Sequence, residues 1–197
     1  MKMKLANLAV ALSFGIAAAA ASAQDAKPGD AAAGQNGKYI AAALAGYKKG
    51  ERKHPSMRGI AGSLSDQDMA DLAAYFEQLG KSDGEQARPA DASTPPADVA
   101  KLLAQANCAS CHGANFSTPI DPSYPKLAGQ YSDYLYAALR AYQTDHNAVM
   151  GRSNAIMMGM ARPFTHTELK QLSAYLASLP GDLRTVPESR FRAGEQF

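Results

Sequence analysis

The chain has 197 residues, with 20 Lys and Arg against 18 Asp and Glu, two cysteines and no tryptophan. That length allows one or two small domains with modest cores, and so even a charge balance argues against nucleic acid as a partner. Two cysteines are too few for a disulfide framework or a four-cysteine zinc cage.

Met1-Lys2-Met3-Lys4 is positively charged, Leu5 to Ala20 is apolar, and Ala21-Ser22-Ala23 is a run of small residues. This is the pattern of a secretory signal peptide over residues 1–23, cleaved before Gln24, and too short and alanine-rich to be kept as a membrane span. The mature chain is therefore expected to be exported, to the periplasm, with no membrane span after cleavage. Loss of Lys2 and Lys4 leaves 18 basic residues against 18 acidic, so the basic character of the whole chain comes largely from the leader.

Residues 24–33 are small and polar and read as a loose lead-in. A helix is expected from Asn36 to Lys48, where Tyr39, Ile40, Ala43, Leu44 and Tyr47 share one face, with Gly50 as its stop. The basic run Lys48 to His54 reads as a solvated loop in preference to a docking patch for an acidic partner. Ser65-Asp66-Gln67-Asp68 resembles a capping box and opens a second helix, which should bury Met69, Leu72, Ala73, Phe76 and Leu79 before Gly80. Residues 81–94, rich in Gly, Pro, Ser, Asp and Glu, form a linker. Pro95 and Pro96 open a third helix through Val99, Leu102 and Leu103, with Ser93 or Thr94 as cap. A loop with Pro119, Pro122 and Pro125 follows. A fourth helix, Tyr131 to Tyr142, carries the stripe Tyr131, Tyr134, Leu135, Ala138, Leu139 and Tyr142. Next comes a loop with Met150, Met157, Met158 and Met160. Thr165-His166-Thr167-Glu168 is a full capping box, and Leu169, Leu172, Leu176 and Leu179 form the inner face of a last helix. The tail, 181–197, has no clear period and reads as a surface segment.

The third helix delivers the chain into Cys108-Ala109-Ser110-Cys111-His112. Two cysteines three positions apart on a helical turn project to one side, so both thiols can reach the two vinyl groups of one porphyrin, with the next imidazole under the iron. This is the pattern of one covalent haem c. A thioredoxin-like redox pair is the rival, but it would sit between a strand and a helix, and nothing nearby alternates with a strand's period of two.

The two halves repeat one another. Ala33-Gly34-Gln35 matches Ala128-Gly129-Gln130, and Tyr39, Ala43, Leu44 and Tyr47 match Tyr134, Ala138, Leu139 and Tyr142, at an offset of 95. After five extra residues the offset is 100: Met57 matches Met157, Gly59 matches Gly159, Ser65 matches Thr165 and Tyr75 matches Tyr175. The first copy begins where the second is already past its cysteines, so it is a truncated module expected to hold no covalent haem. Its two amphipathic helices cannot form a complete core alone. It is read as a structural cap or pairing surface, with an adaptor for a redox partner as the alternative.

The second half resembles a class I c-type cytochrome, through Cys108 to Gly113, then Pro125-Lys126-Leu127-Ala128-Gly129-Gln130, then Met157-Met158-Gly159-Met160 ahead of a terminal helix. Two such modules in one exported chain are similar to the two-domain dihaem cytochromes c, over about Gly34 to Leu179. The chain departs from that pattern in the first module, so two haems do not carry over. The resemblance implies an all-α fold, with a truncated haem-less module over residues 34–80 ahead of a cytochrome c haem domain over 95–180. It also implies that Pro125 offers its carbonyl to the ring nitrogen of His112 facing away from the iron. It selects Met157 as sixth ligand, eight positions before the helix cap as Met57 is before Ser65, with Met160 next and His146 or His166 far behind. Met57 is expected to pack as a hydrophobe.

Ligation by His112 and Met157 would leave no open iron position. The expected function is a one-electron carrier between respiratory-type redox protein partners, and not an enzyme. The alternative is a haem subunit or small peroxidase-like enzyme with an open iron site.

Overall fold

The computed structural model describes residues 33–79, 94–144 and 147–183. The stretch read as a signal peptide, all but Thr94 of the stretch read as a linker, Gly80, His146 and most of the tail lie outside the described residues. The element order is α1 (Gly37–Lys49), β1 (Arg52–Lys53), α2 (Pro55–Ser63), α3 (Asp66–Leu79), α4 (Ala97–Gln105), α5 (Ala109–His112), α6 (Ser132–Gln143), β2 (Gly151–Arg152), α7 (Ala155–Ala161) and α8 (His166–Ser178). Among the described residues the fold is all-α apart from one two-residue strand pair, and no helix is long and apolar enough to cross a membrane.

α1 stops where Gly50 turns left-handed at φ 82°, its N–H donating to the Tyr47 carbonyl. It lies tightly on α3: a Cβ at Gly37 would stand 2.9 Å from Glu77 Oε2 and 3.4 Å from the Ala73 carbonyl oxygen. α3 is capped reciprocally, with Asp68 N donating to Ser65 Oγ at 3.1 Å and Ser65 N to an Asp68 carboxylate oxygen at 2.8 Å. The capping box at Thr165 and Glu168 opens α8 in the same way. α4 differs from expectation in its cap, which is Pro96 with no side-chain hydrogen bond.

Two helices escape the sequence pattern. α7 occupies a stretch read as loop and α2 one assigned no element, and they place Met57, Met157, Met158 and Met160 on helices. Each is short and holds glycine, which blurs a 3.6-residue period. Each has a cap: His54 Nδ1 accepts from Met57 N, and Asn154 Oδ1 accepts from Met157 N at 3.0 Å. Proline at the first position of α2 is the one overlooked signal.

The main core lies in the second module. Val99, Leu102 and Ala106 of α4 and its end meet Phe164, Leu169 and Leu172, and a second cluster joins Phe116, Ala128, Leu135, Leu176 and Leu179. Leu103, Cys108 and Tyr175 touch both. Tyr131 and Tyr134, expected on the inner stripe of α6, are instead exposed, while Leu135 and Tyr142 are buried. In α3 only Met69 and Ala73 are buried, and Leu72, Phe76 and Leu79 are half-covered. Their repeat mates Leu172, Leu176 and Leu179 are 3%, 5% and 6% exposed. The difference has a plain cause: α4 packs on α8, and among the described residues α3 has no corresponding helix.

The modules join along a pseudo-symmetric seam. β1 pairs antiparallel with β2, setting Arg52 opposite Arg152 and Lys53 opposite Gly151. Ser153 N donates to the Glu51 carbonyl at 3.0 Å, and Lys53 Nζ to the Asn147 carbonyl at 2.7 Å. The basic run is therefore ordered, a correction to its reading as a solvated loop: Lys48 and Lys49 end α1, Arg52 and Lys53 form the interface strand, and His54 caps α2. The tail also begins inside the structure: Leu183 is buried and Asp182 pairs with Lys126 Nζ at 3.0 Å.

Candidate haem-attachment site

The site is built on a single helical turn. α4 ends through Asn107, left-handed at φ 45°, and Cys108 caps α5, with His112 N donating to the Cys108 carbonyl at 3.1 Å. Both thiols are free and half-buried. Burial pushes the Cys108 thiol up. His112 is buried, and its Nδ1 stands 3.0 Å from the Pro125 carbonyl oxygen. A carbonyl only accepts, so Nδ1 carries the proton and Nε2 holds the free lone pair. Burial lowers the affinity of the ring for a second proton, against the Pro125 hydrogen bond, so the imidazole is held neutral, the form that ligates a metal.

The chain leaves this turn through Gly113, at φ 80° and ψ 155°, a region open to glycine and closed to other residues. The return loop is pinned by Ile120 N donating to the Cys111 carbonyl and by Leu127 N and Ala128 N sharing the Phe116 carbonyl. The site thus unites Cys108, Cys111, His112 and Pro125. Met157 lies in the first turn of α7, half-buried, and Met160 is 41% exposed. This donor set fits a covalently held haem: two unpaired thiols on one turn and a neutral imidazole with one nitrogen committed.

The profile of the family described as Cytochrome c matches residues 96–180. Cytochrome c-554(547) of Halothiobacillus neapolitanus is 34% identical over 89 residues, covering 42% of this chain and 96% of that protein. The chain belongs to the cytochrome c family. Cytochrome c4 of Azotobacter vinelandii is 28% identical to this cytochrome over 160 residues, covering 75% of each. A structure of Acidithiobacillus ferrooxidans cytochrome c4 superposes with a TM-score of 0.55 at 25% identity, over 75% of this chain and 86% of that one. The protein is accordingly a c-type cytochrome of the electron-carrier kind, with haem c attached through cysteine.

Sequence reasoning missed two residues of this cytochrome, Arg52 and Arg152. The Arg52 guanidinium donates to Tyr39 Oη at 3.2 Å and lies over the Tyr39 and Tyr47 rings at 5.0 and 5.9 Å. Arg152 repeats the arrangement, donating to Tyr134 Oη at 3.1 Å and lying over Tyr134 and Tyr142 at 5.6 and 5.5 Å. Burial pushes the Tyr39 hydroxyl up, but the two guanidiniums outweigh it and leave Tyr39 below its ordinary value. Tyr134 is 39% exposed, yet loss of water around its hydroxyl and the nearby Tyr39 hold it above its own, against Arg152. The four tyrosines are repeat mates in the sequence, and the arginines, 100 positions apart, were the available signal.

Proposed function

We propose that this chain is an exported, periplasmic cytochrome that carries one electron at a time between redox protein partners, on a single haem bound through Cys108 and Cys111. Residues 95–180 form the haem domain. Residues 34–80 form a haem-less module joined by the linker 81–94, since the chain has no third cysteine to attach a second haem. His112 is the proximal ligand through Nε2. The observation that carries the reading is the 3.0 Å bond between His112 Nδ1 and the Pro125 carbonyl, which fixes the tautomer and strengthens the imidazole as a donor.

Met157 supplies the sixth ligand. Its backbone is held by the Asn154 cap, so its place on α7 is defined, and it matches Met57 in the repeat. A haem held by His112 and Met157 would supply one-electron chemistry at a potential raised by the soft sulfur, and the chain would leave substrate no place to bind it. The chain's own part is to anchor, orient and cover. Cys108 is wedged between two apolar clusters, and the neutral His112 is shielded from a second proton.

Substitution tests the ligand set. Met157→Ala should lower the potential and convert ferric iron towards high spin, while Met160→Ala should leave both unchanged. If Met160→Ala produces the change instead, the assignment of Met157 is wrong. Cys108→Ala or Cys111→Ala should reduce haem that survives a denaturing gel, and an undiminished yield would contradict the attachment.

A further inference from the structure

The first module touches the backbone segment whose carbonyl meets His112. Proline has no N–H, so Pro125 cannot be fixed by a hydrogen bond of its own amide, and its carbonyl is aimed by the peptides on either side. From the Tyr124 carbonyl to the Lys126 carbonyl, the backbone offers four hydrogen-bonding groups. Three of them end on the first module. Gln35, 4% exposed, donates from Nε2 to the Lys126 carbonyl at 3.0 Å and accepts from Lys126 N at Oε1 at 2.8 Å. Asn36 Nδ2 donates to the Tyr124 carbonyl at 3.2 Å. The fourth, the Pro125 carbonyl, accepts from His112 Nδ1.

We propose that Gln35 and Asn36 are positioning residues for the haem ligand. By holding Tyr124 and Lys126, the truncated module aims the Pro125 carbonyl at His112 and so helps set the potential of a haem it does not carry. Gln35 is well suited to this. Its amide has one donor face and one acceptor face, both spent on a single residue, and Oε1 also accepts from Asn36 N at 3.1 Å, which fixes its rotamer. Burial makes the arrangement costly to break, because a lost partner strands a buried polar group. Gln130, the repeat mate, makes the same local bond from Tyr131 N at 2.9 Å, so the motif is used once in each module.

The proposal rests on His112 being the proximal ligand. A slackened Pro125 carbonyl makes the imidazole a poorer donor, which disfavours ferric iron and raises the potential. In the full-length protein, Gln35→Ala should lower the oxidised-to-reduced ratio at a fixed poise about three- to tenfold, tenfold being 59 mV for one electron. It should also move the His112 Nδ1–H proton resonance of the reduced protein. Gln35→Glu keeps the acceptor from Lys126 N and loses the donor to its carbonyl, and should fall between. Asn36→Ala should shift both readouts in the same direction by less. Lys38→Met, which removes only the exposed 3.5 Å Lys38–Asp121 contact across the same interface, should move neither. A folded, haem-bearing Gln35→Ala or Gln35→Glu with unchanged potential and resonance overturns the proposal, as does an equal shift in Lys38→Met. A wild-type chain without haem would overturn the ligand reading as well, and would be seen before any variant was made.

Discussion

Gly113→Ala should damage the site without touching a ligand. The residue directly follows His112 and holds φ 80° and ψ 155°, where a Cβ costs about 1–3 kcal/mol in backbone strain. The added methyl would also run into the Thr118 carbonyl, which is backbone and cannot swing aside as a side chain would. Overpacking of this kind costs about 1–3 kcal/mol. Taken together, a loss of about 3 kcal/mol is expected, or about 10 °C in Tm for a chain of this size. Thermal unfolding followed by helical circular dichroism reads the stability, and the Soret band reads the haem. Gly59→Ala is the matched control: Gly59 is inside α2 with nothing within 4 Å of a new Cβ, so it should gain about 0.4–1 kcal/mol. A Gly113→Ala protein with wild-type Tm and full haem yield would refute the reasoning from backbone geometry.

Arg152→Met removes a charged hydrogen bond and two ring contacts, and should cost about 2 kcal/mol by thermal unfolding. Because Arg52 faces Arg152 across the strand pair and both act on Tyr39, a double-mutant cycle with Arg52→Met should be non-additive. Thr165→Ala removes the cap of α8 and should cost about 1 kcal/mol, while Ser65→Ala does the same for α3 in the module with the thinner core. Asp68 and Glu168 are both held below the usual carboxylate range, Asp68 by the Ser65 hydroxyl and Glu168 by the Thr165 backbone amide. A depressed folded value means the contribution is present above about pH 4 and is lost as pH falls through it. The stability difference between wild type and Glu168→Gln should therefore vanish in acid, and one that persisted would contradict the capping role.

Much of this was legible in the chain. The motif from Cys108 to His112 names its own chemistry because covalent attachment demands two thiols at fixed spacing, and the capping boxes at Ser65 and Thr165 mark helix starts because their hydrogen bonds are local. The repeat exposed the paired tyrosines. The hidden parts depend on contacts distant in sequence or on weak periods. Arg52 reads as one more cation in a basic run until β1 pairs with β2. Leu72 and Phe76 read as core because their period is right, yet periodicity does not say whether a neighbouring helix is there to cover them. α2 and α7 are too short for a period to emerge. Gln35 gives no sign that its amide will grip Lys126, 91 positions away.

The most direct test of one haem held by Cys108, Cys111, His112 and Met157 is a redox-titrated visible spectrum of the purified mature protein at a measured haem-to-protein ratio. It should give one haem per chain, a single one-electron wave, and a low-spin ferric form with a methionine-to-iron band. Two haems per chain, or a high-spin form that readily binds carbon monoxide, would contradict it.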